Sequence, residues 1–170
     1  MLYGPETLPL FLEDITNNTK IHFYIEHYSL LYEQDYENDI QIEQRTNQVE
    51  CYYSFSDDDG WGSVSEVYML TSDIEKLADN FRKLLYKQLT HYEFESEISL
   101  FTLCVDHMDN GYNLSFSIDD GLTGEWITVD LQSLTDTAFE EYANVFIQWG
   151  KDYPVLSEEE LSVKYRRSIR

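Results

Sequence analysis

The chain has 170 residues, 42% hydrophobic and 15% aromatic, which suffices for one buried core and exceeds what a disordered acidic chain carries. Eleven Lys and Arg face 33 Asp and Glu, a formal charge of −22, which argues against a phosphate-neutralising surface and against docking on an anionic membrane. Two Cys cannot build a disulfide framework, so a reducing cytoplasm is the expected compartment.

Met1 to Glu13 lacks a basic start, and Pro9 interrupts its apolar run Leu8–Leu12, so it does not read as a secretory signal. No window of about 18 apolar residues occurs, and the glycosylation-like triplets Asn17-Asn18-Thr19 and Asn113-Leu114-Ser115 are read as chance. Residues 1–18 are expected to form an irregular lead. Ile21, Phe23 and Ile25 then alternate with His22, Tyr24 and Glu26, the pattern of a half-buried strand. A short acidic strand is expected around Asn38–Gln44. Val49, Cys51, Tyr53 and Phe55 alternate again, Asp57-Asp58-Asp59-Gly60 reads as a hairpin turn, and Gly62–Leu70 returns.

At Thr71 the period changes. Ser72-Asp73-Ile74-Glu75 fits a capping box, and Ile74, Leu77, Ala78, Phe81, Leu84, Leu85 and Leu89 recur at helical spacing over about five turns. Glu97–Val105 reads as a central strand apolar on both faces. Asn110-Gly111 marks a tight turn into the alternating Tyr112–Ile118, Asp119-Asp120-Gly121 marks another, and Glu125–Leu131 returns. Leu134 to Trp149 forms a second amphipathic helix with Ser133 or Thr135 as cap, ended before Pro154. Ser157-Glu158-Glu159-Glu160 can cap a short basic C-terminal helix or tail over 157–170, carrying Lys164, Arg166, Arg167 and Arg170.

The succession of hairpin and capped helix occurs twice, near 49–90 and 97–150. It predicts an α+β fold: one antiparallel sheet with two amphipathic helices on one face, an approximate duplication within a single acidic domain spanning 1–170. Charge is uneven along it. Residues 88–150 hold twelve acids and no Lys or Arg, whereas residues 151–170 hold five bases and four acids. Such a body repels itself on folding. Solubility is one reading, and a surface built to meet a basic partner is the other.

Chemical motifs are sparse. On an EF-hand loop with Asp57 and Asp59 at the third and fifth positions, Phe55 would occupy the first, where an acid ligand is required. His22 and His27 are five apart and are expected on opposite sides of a strand, His107 lies beside a turn, and Cys51 and Cys104 read as core residues. No nucleophile elbow and no phosphate-cradling glycine loop occurs. The expectation is therefore a chain that is not an enzyme, with no metal and no cofactor. Trp61 follows the first acidic turn, and Trp126 follows Asp119, Asp120 and Glu125. Tryptophan beside carboxylates suits capture of Arg and Lys. The alternative is that each Trp covers a sheet edge or the core. The candidate partner-binding residues are Asp57, Asp58, Asp59, Trp61, Asp119, Asp120, Glu125 and Trp126.

The acidic strands, the strand-to-helix passage Val67–Leu77 and the strands Gly111–Phe116 and Trp126–Leu131 resemble the WapI-like immunity proteins of bacterial polymorphic toxin systems, over roughly residues 48–150. That resemblance implies a non-enzymatic inhibitor that binds a basic toxin domain and occludes its active site, without direct nucleic-acid or membrane contact. The alternatives are a DNA mimic acting on a DNA-binding protein and a small hydrolase.

Overall fold

The computed structural model describes residues 8–96, 101–120, 123–162 and 164–168. Its elements in chain order are β1 (Leu10–Asp14), β2 (Thr19–Asp35), β3 (Ile40–Asp57), β4 (Gly60–Leu70), α1 (Thr71–Leu85), β5 (His91–Glu95), β6 (Phe101–Met108), β7 (Gly111–Asp119), β8 (Trp126–Leu134), α2 (Asp136–Asp152), α3 (Glu158–Ser162) and β9 (Lys164–Ser168). The class is α+β, as the periodicity predicts. The strands form two antiparallel sheets where one was expected: β1-β2-β3-β4, with β9 added to β3, and β5-β6-β7-β8. Each sheet has one apolar face, Ile21, Phe23, Ile25, Cys51 and Tyr53 on the first and Phe101, Leu103, Val105, Leu114, Phe116 and Ile118 on the second, and all of these are buried. Packing the two faces on each other, as Phe23 does on Phe101 and Phe116, buries both.

Several boundaries differ from expectation. β1 lies within the expected irregular lead and pairs Leu10–Asp14 with Thr19–Phe23. The segments around Ile40 and Val49 are one 18-residue strand, bent by register shifts at Ile25/His27 and Tyr28/Leu30 of its partner β2. The β5 edge strand had no place in the sequence reading, being only five residues long. Glu97–Leu100, the start of the expected central strand, lie outside the described residues, as do Gly121 and Leu122. β6 itself is apolar on one face only, because Thr102, Cys104 and Asp106 alternate outward. The tail also departs from a basic helix: α3 is acidic and ends at Ser162, and Lys164–Ser168 runs antiparallel to Ile40–Gln44.

Helix α1 starts and stops for reasons the local pattern does not carry. No side chain caps it at Leu70. The Thr71 hydroxyl, just before the expected capping box, is buried and donates to the Asn47 carbonyl at 3.1 Å. At the other end Lys87 adopts φ +58°, and its amide bonds the Leu84 carbonyl at 3.2 Å, so Leu89 packs on the core from a loop rather than from a fifth turn. Helix α2 takes the second of its two expected caps, the Thr135 hydroxyl accepting from the Ala138 amide at 3.1 Å, while Leu134, expected inside the helix, ends β8 instead.

Aromatic rings join the layers. Phe23 meets Phe101 at 5.4 Å, Phe116 at 6.3 Å and Trp149 of α2 at 5.6 Å between centroids. The helices meet through Phe81 stacked on Phe146 at 4.2 Å, and a Cβ on Gly150 would come within 2.6 Å of the Ala78 methyl. Two polar ties complement the rings. Asn47 accepts from the Leu156 amide at 2.6 Å and donates to the Leu156 carbonyl at 3.0 Å, fixing the C-terminal segment beside the start of α1. The Tyr53 hydroxyl crosses from the first sheet to donate to the Asp119 carbonyl of the second at 2.7 Å.

Two predictions follow from these ties. Asn47→Ala removes both bonds to Leu156 and should lower stability by about 1–3 kcal/mol, read as a lower urea midpoint at unchanged slope. Tyr28, Tyr53 and Tyr92 are all pushed up to about 12, chiefly by burial, with Asp119 and Asp120 adding to the shift of Tyr53. Phenols that ionise later in the folded chain contribute stability below the unfolded value of about 10 and lose it as pH rises toward 12. An ultraviolet phenolate titration should therefore show a late tyrosine class that moves with alkaline unfolding, and Tyr53→Phe should reduce that class by one.

Candidate binding surface

The β3–β4 turn is shaped by its own acids. The Asp57 carboxylate accepts from the Asp59 amide at 2.9 Å, and Asp58 accepts from the Asn18 side chain at 2.9 Å. Asp58 and Asp59 are exposed, and the Trp61 ring that follows them is 81% exposed. Gly62 sits under the Phe55 ring, where a Cβ would come within 2.5 Å of Cζ, so the cross-strand ring leaves room for no larger residue without moving.

The β7–β8 turn uses its acids in the same way. Asp120 accepts from the amides of Thr123 at 2.9 Å and Gly124 at 3.2 Å, and from the Thr123 hydroxyl. Its own amide bonds the Glu125 carbonyl at 2.9 Å. Asp119 faces Trp126 across the strand pair, and Trp126 is 47% exposed. Of the eight candidate residues, Asp58, Asp59, Trp61, Glu125 and Trp126 are therefore presented to solvent, while Asp57 and Asp120 also organise their loops. Neither Trp is buried, so neither is a core residue. The Tyr53–Asp119 bond links the strands that carry the two turns.

Three features were not found from the sequence. The β1–β2 turn lies beside the first acidic turn through Asn18, and it displays Ile15 at 83% exposure. Within it, Asn17 donates to the Asp14 carboxylate at 2.7 Å and holds that carboxyl below its usual range. Secondly, the outward face of the first sheet carries an aromatic row: Phe11–His22 at 6.2 Å, His22–Tyr24 at 5.5 Å and Tyr24–Tyr52 at 5.0 Å. The signal was present in β2, whose expected polar face is His22, Tyr24 and Glu26. Thirdly, the far ends of β2 and β3, from Leu30 to Arg45, form an arm with β9, and Leu31, Tyr32 and Tyr36 are exposed on it.

His27 and Cys104 depart from expectation, whereas Cys51 is the core residue it was expected to be. The register shift after Ile25 places His27 opposite Glu50, with Nε2 3.6 Å from its carboxylate, on the same face as His22 rather than the opposite one. Cys51 is buried, and burial pushes its thiol well up. Cys104 instead lies half-buried on the outward face of β6, where burial and then the charges of Asp106 and Glu93 raise its thiol. Beside it, His91 Nδ1 lies 2.6 Å from Asp106, and that bond raises the imidazole. No described helix is long and apolar enough to cross a membrane.

No protein-family model and no curated protein matches the chain. Among solved structures, the plant transcriptional regulator PBF-2 aligns with 88% of this chain and 90% of its own, at 8% identity and a TM-score of 0.47. WHY3 from Arabidopsis thaliana aligns with 88% of this chain and 89% of its own, at 10% identity and a TM-score of 0.43. The expectation of a toxin-neutralising immunity protein, with its toxin-domain partner and its exclusion of nucleic-acid contact, is not upheld: one of these structures is described as a transcriptional regulator, and neither as an immunity protein. The physical reason is that the immunity reading rested on element order and acidity. A two-sheet fold with a helix after each set of four strands meets that order whatever it binds, since a fold does not fix a function.

Proposed function

We propose that this chain is a non-enzymatic regulator that mimics nucleic acid, offering carboxylates in place of phosphates to the DNA-contacting surface of a DNA-binding protein. The observation that carries this is the charge balance seen with the geometry. Eleven cations can neutralise at most eleven of 33 carboxylates, and Asp58, Asp59 and Glu125 stand exposed beside the exposed rings of Trp61 and Trp126. Unpaired carboxylates at the rim accelerate encounter with a cationic surface, and a desolvated ring supplies the anchor that slows release. The order of four strands and a helix, run twice, supports reading the halves as two versions of one unit. In that reading Trp61 and Trp126 are counterparts, because each lies within the first two residues of the fourth strand of its half.

A second reading has its own observation. The row Phe11, His22, Tyr24 and Tyr52 offers a stacking platform for unpaired bases, and stacking on such rings contributes about 1–3 kcal/mol per base. The neighbouring charges, Glu13, Glu26 and Glu50 with Lys20, do not form the cationic groove that usually tracks a phosphate backbone.

The test is capture of partners on the tagged chain at low salt from the cells that make it, followed by elution with duplex DNA. The mimic reading expects a DNA-binding protein released by DNA. With that partner purified, Asp58→Asn/Asp59→Asn/Glu125→Gln should slow association about tenfold at low salt and flatten its salt dependence. Partners that DNA fails to displace, or an unchanged association rate, would overturn it. Retention of a labelled single-stranded oligonucleotide by the chain alone, lost in Tyr24→Ala/Tyr52→Ala, would establish the second reading instead.

A further inference from the structure

We propose that His91, Glu93 and Cys104, on the outward face of the β5–β6 pair, form a binding site for a divalent transition-metal ion of the zinc class, with Asp106 positioning the histidine. Register brings these residues together. His91 and Glu93 are two apart on β5 and so share a face, Glu93 lies opposite Cys104, and His91 lies opposite Asp106. Two adjacent cross-strand pairs thus place an imidazole, a thiol and two carboxylates in one patch. One ligand atom each from His91, Glu93 and Cys104 lies within 4.8 Å of the others. Donors around a tetrahedral zinc ion lie about 3.3–3.8 Å apart, so rotation of half-exposed side chains closes the difference without moving the strands.

The orientation of His91 suits this role. Its Nδ1 is held by Asp106 at 2.6 Å, and its Nε2 faces Glu93 at 3.3 Å. A carboxylate on one ring nitrogen with the other turned to the ligand group is the arrangement by which metal-binding histidines are oriented. Cys104 Sγ lies 3.8 Å from the second Asp106 oxygen. A nitrogen, a sulfur and a carboxylate oxygen favour a borderline ion over calcium or magnesium, which take oxygen ligands. Charge points the same way: residues 88–150 contain no Lys or Arg, and among the described residues Glu93 and Asp106 face the titratable His91 and ion-pair with no Lys or Arg. A divalent ion would supply the positive charge this patch lacks and would pin the five-residue edge strand to its neighbour.

The test is titration of the whole chain with cobalt(II), then displacement by zinc. One equivalent should give an intense near-ultraviolet thiolate-to-metal band with visible bands of a four-coordinate ion, and zinc should abolish both. Cys104→Ser should remove the near-ultraviolet band, and Cys104→Ser or His91→Ala should weaken zinc at least about tenfold, with an unchanged circular dichroism spectrum showing that the fold persists. His27→Ala, in the separate Glu26–His27–Glu50 group, should leave the bands unchanged. Absence of the thiolate band, or several weak equivalents indifferent to His91 and Cys104, would overturn the proposal and leave only loose association with an acidic surface.

Discussion

A body with 22 excess negative charges repels itself, and the fold must outweigh that repulsion. The opposing force is a dry interior of rings. Phe23 is the point at which the first sheet, the second sheet and α2 meet, and Phe81 on Phe146 closes the helix layer. Carboxylates remain outside this interior or are bound at its margin: Asp14 is held by Asn17, and buried Asp73 lies 3.8 Å from Lys76. Charge can then accumulate on turns and outward strand faces, because the core does not depend on ion pairs.

That division of labour shapes the surface. Both acidic turns follow strands whose inner residues are fixed in the core, so the described acids beside them stand on packed supports. Each spends one carboxylate on its own loop, Asp57 in the first and Asp120 in the second, and leaves its neighbours exposed beside a tryptophan. The basic C-terminal segment, which from composition could have docked elsewhere, pairs instead with β3 and extends the arm. The cation-free stretch 88–150 builds the second sheet and α2, and there the outward β5–β6 patch is the place where ligand types other than carboxylate converge.

Much of this was legible in the sequence, for local reasons. Alternation found the strands that carry the turns, Asp-Gly and Asn-Gly found the hairpins, and Thr135 marked the start of α2 because its capping bond spans only three residues. The remainder depends on contacts distant along the chain. Helix α1 begins where Thr71 meets Asn47, 24 residues away, so a plausible local box at Ser72 and Glu75 gave the wrong start. The division into two sheets follows from which apolar faces meet, which period-2 patterning does not encode. The bulge after Ile25 moved His27 to the other face, and the short β5 concealed the pairing that brings His91 to Asp106. The acidic turns were legible as residues. Their supports, Tyr53 to Asp119 and Asn18 to Asp58, were not.

The two tryptophan-bearing acidic turns are proposed to present, together, a surface that stands in for DNA. Hydrogen–deuterium exchange of the whole chain, with and without the DNA-binding protein it captures, tests this most directly. The account predicts slowed amide exchange around 57–61 and 123–126 together, reversed by an excess of duplex DNA. Protection confined to the arm at 30–45, or protection at the turns that DNA does not reverse, would contradict it.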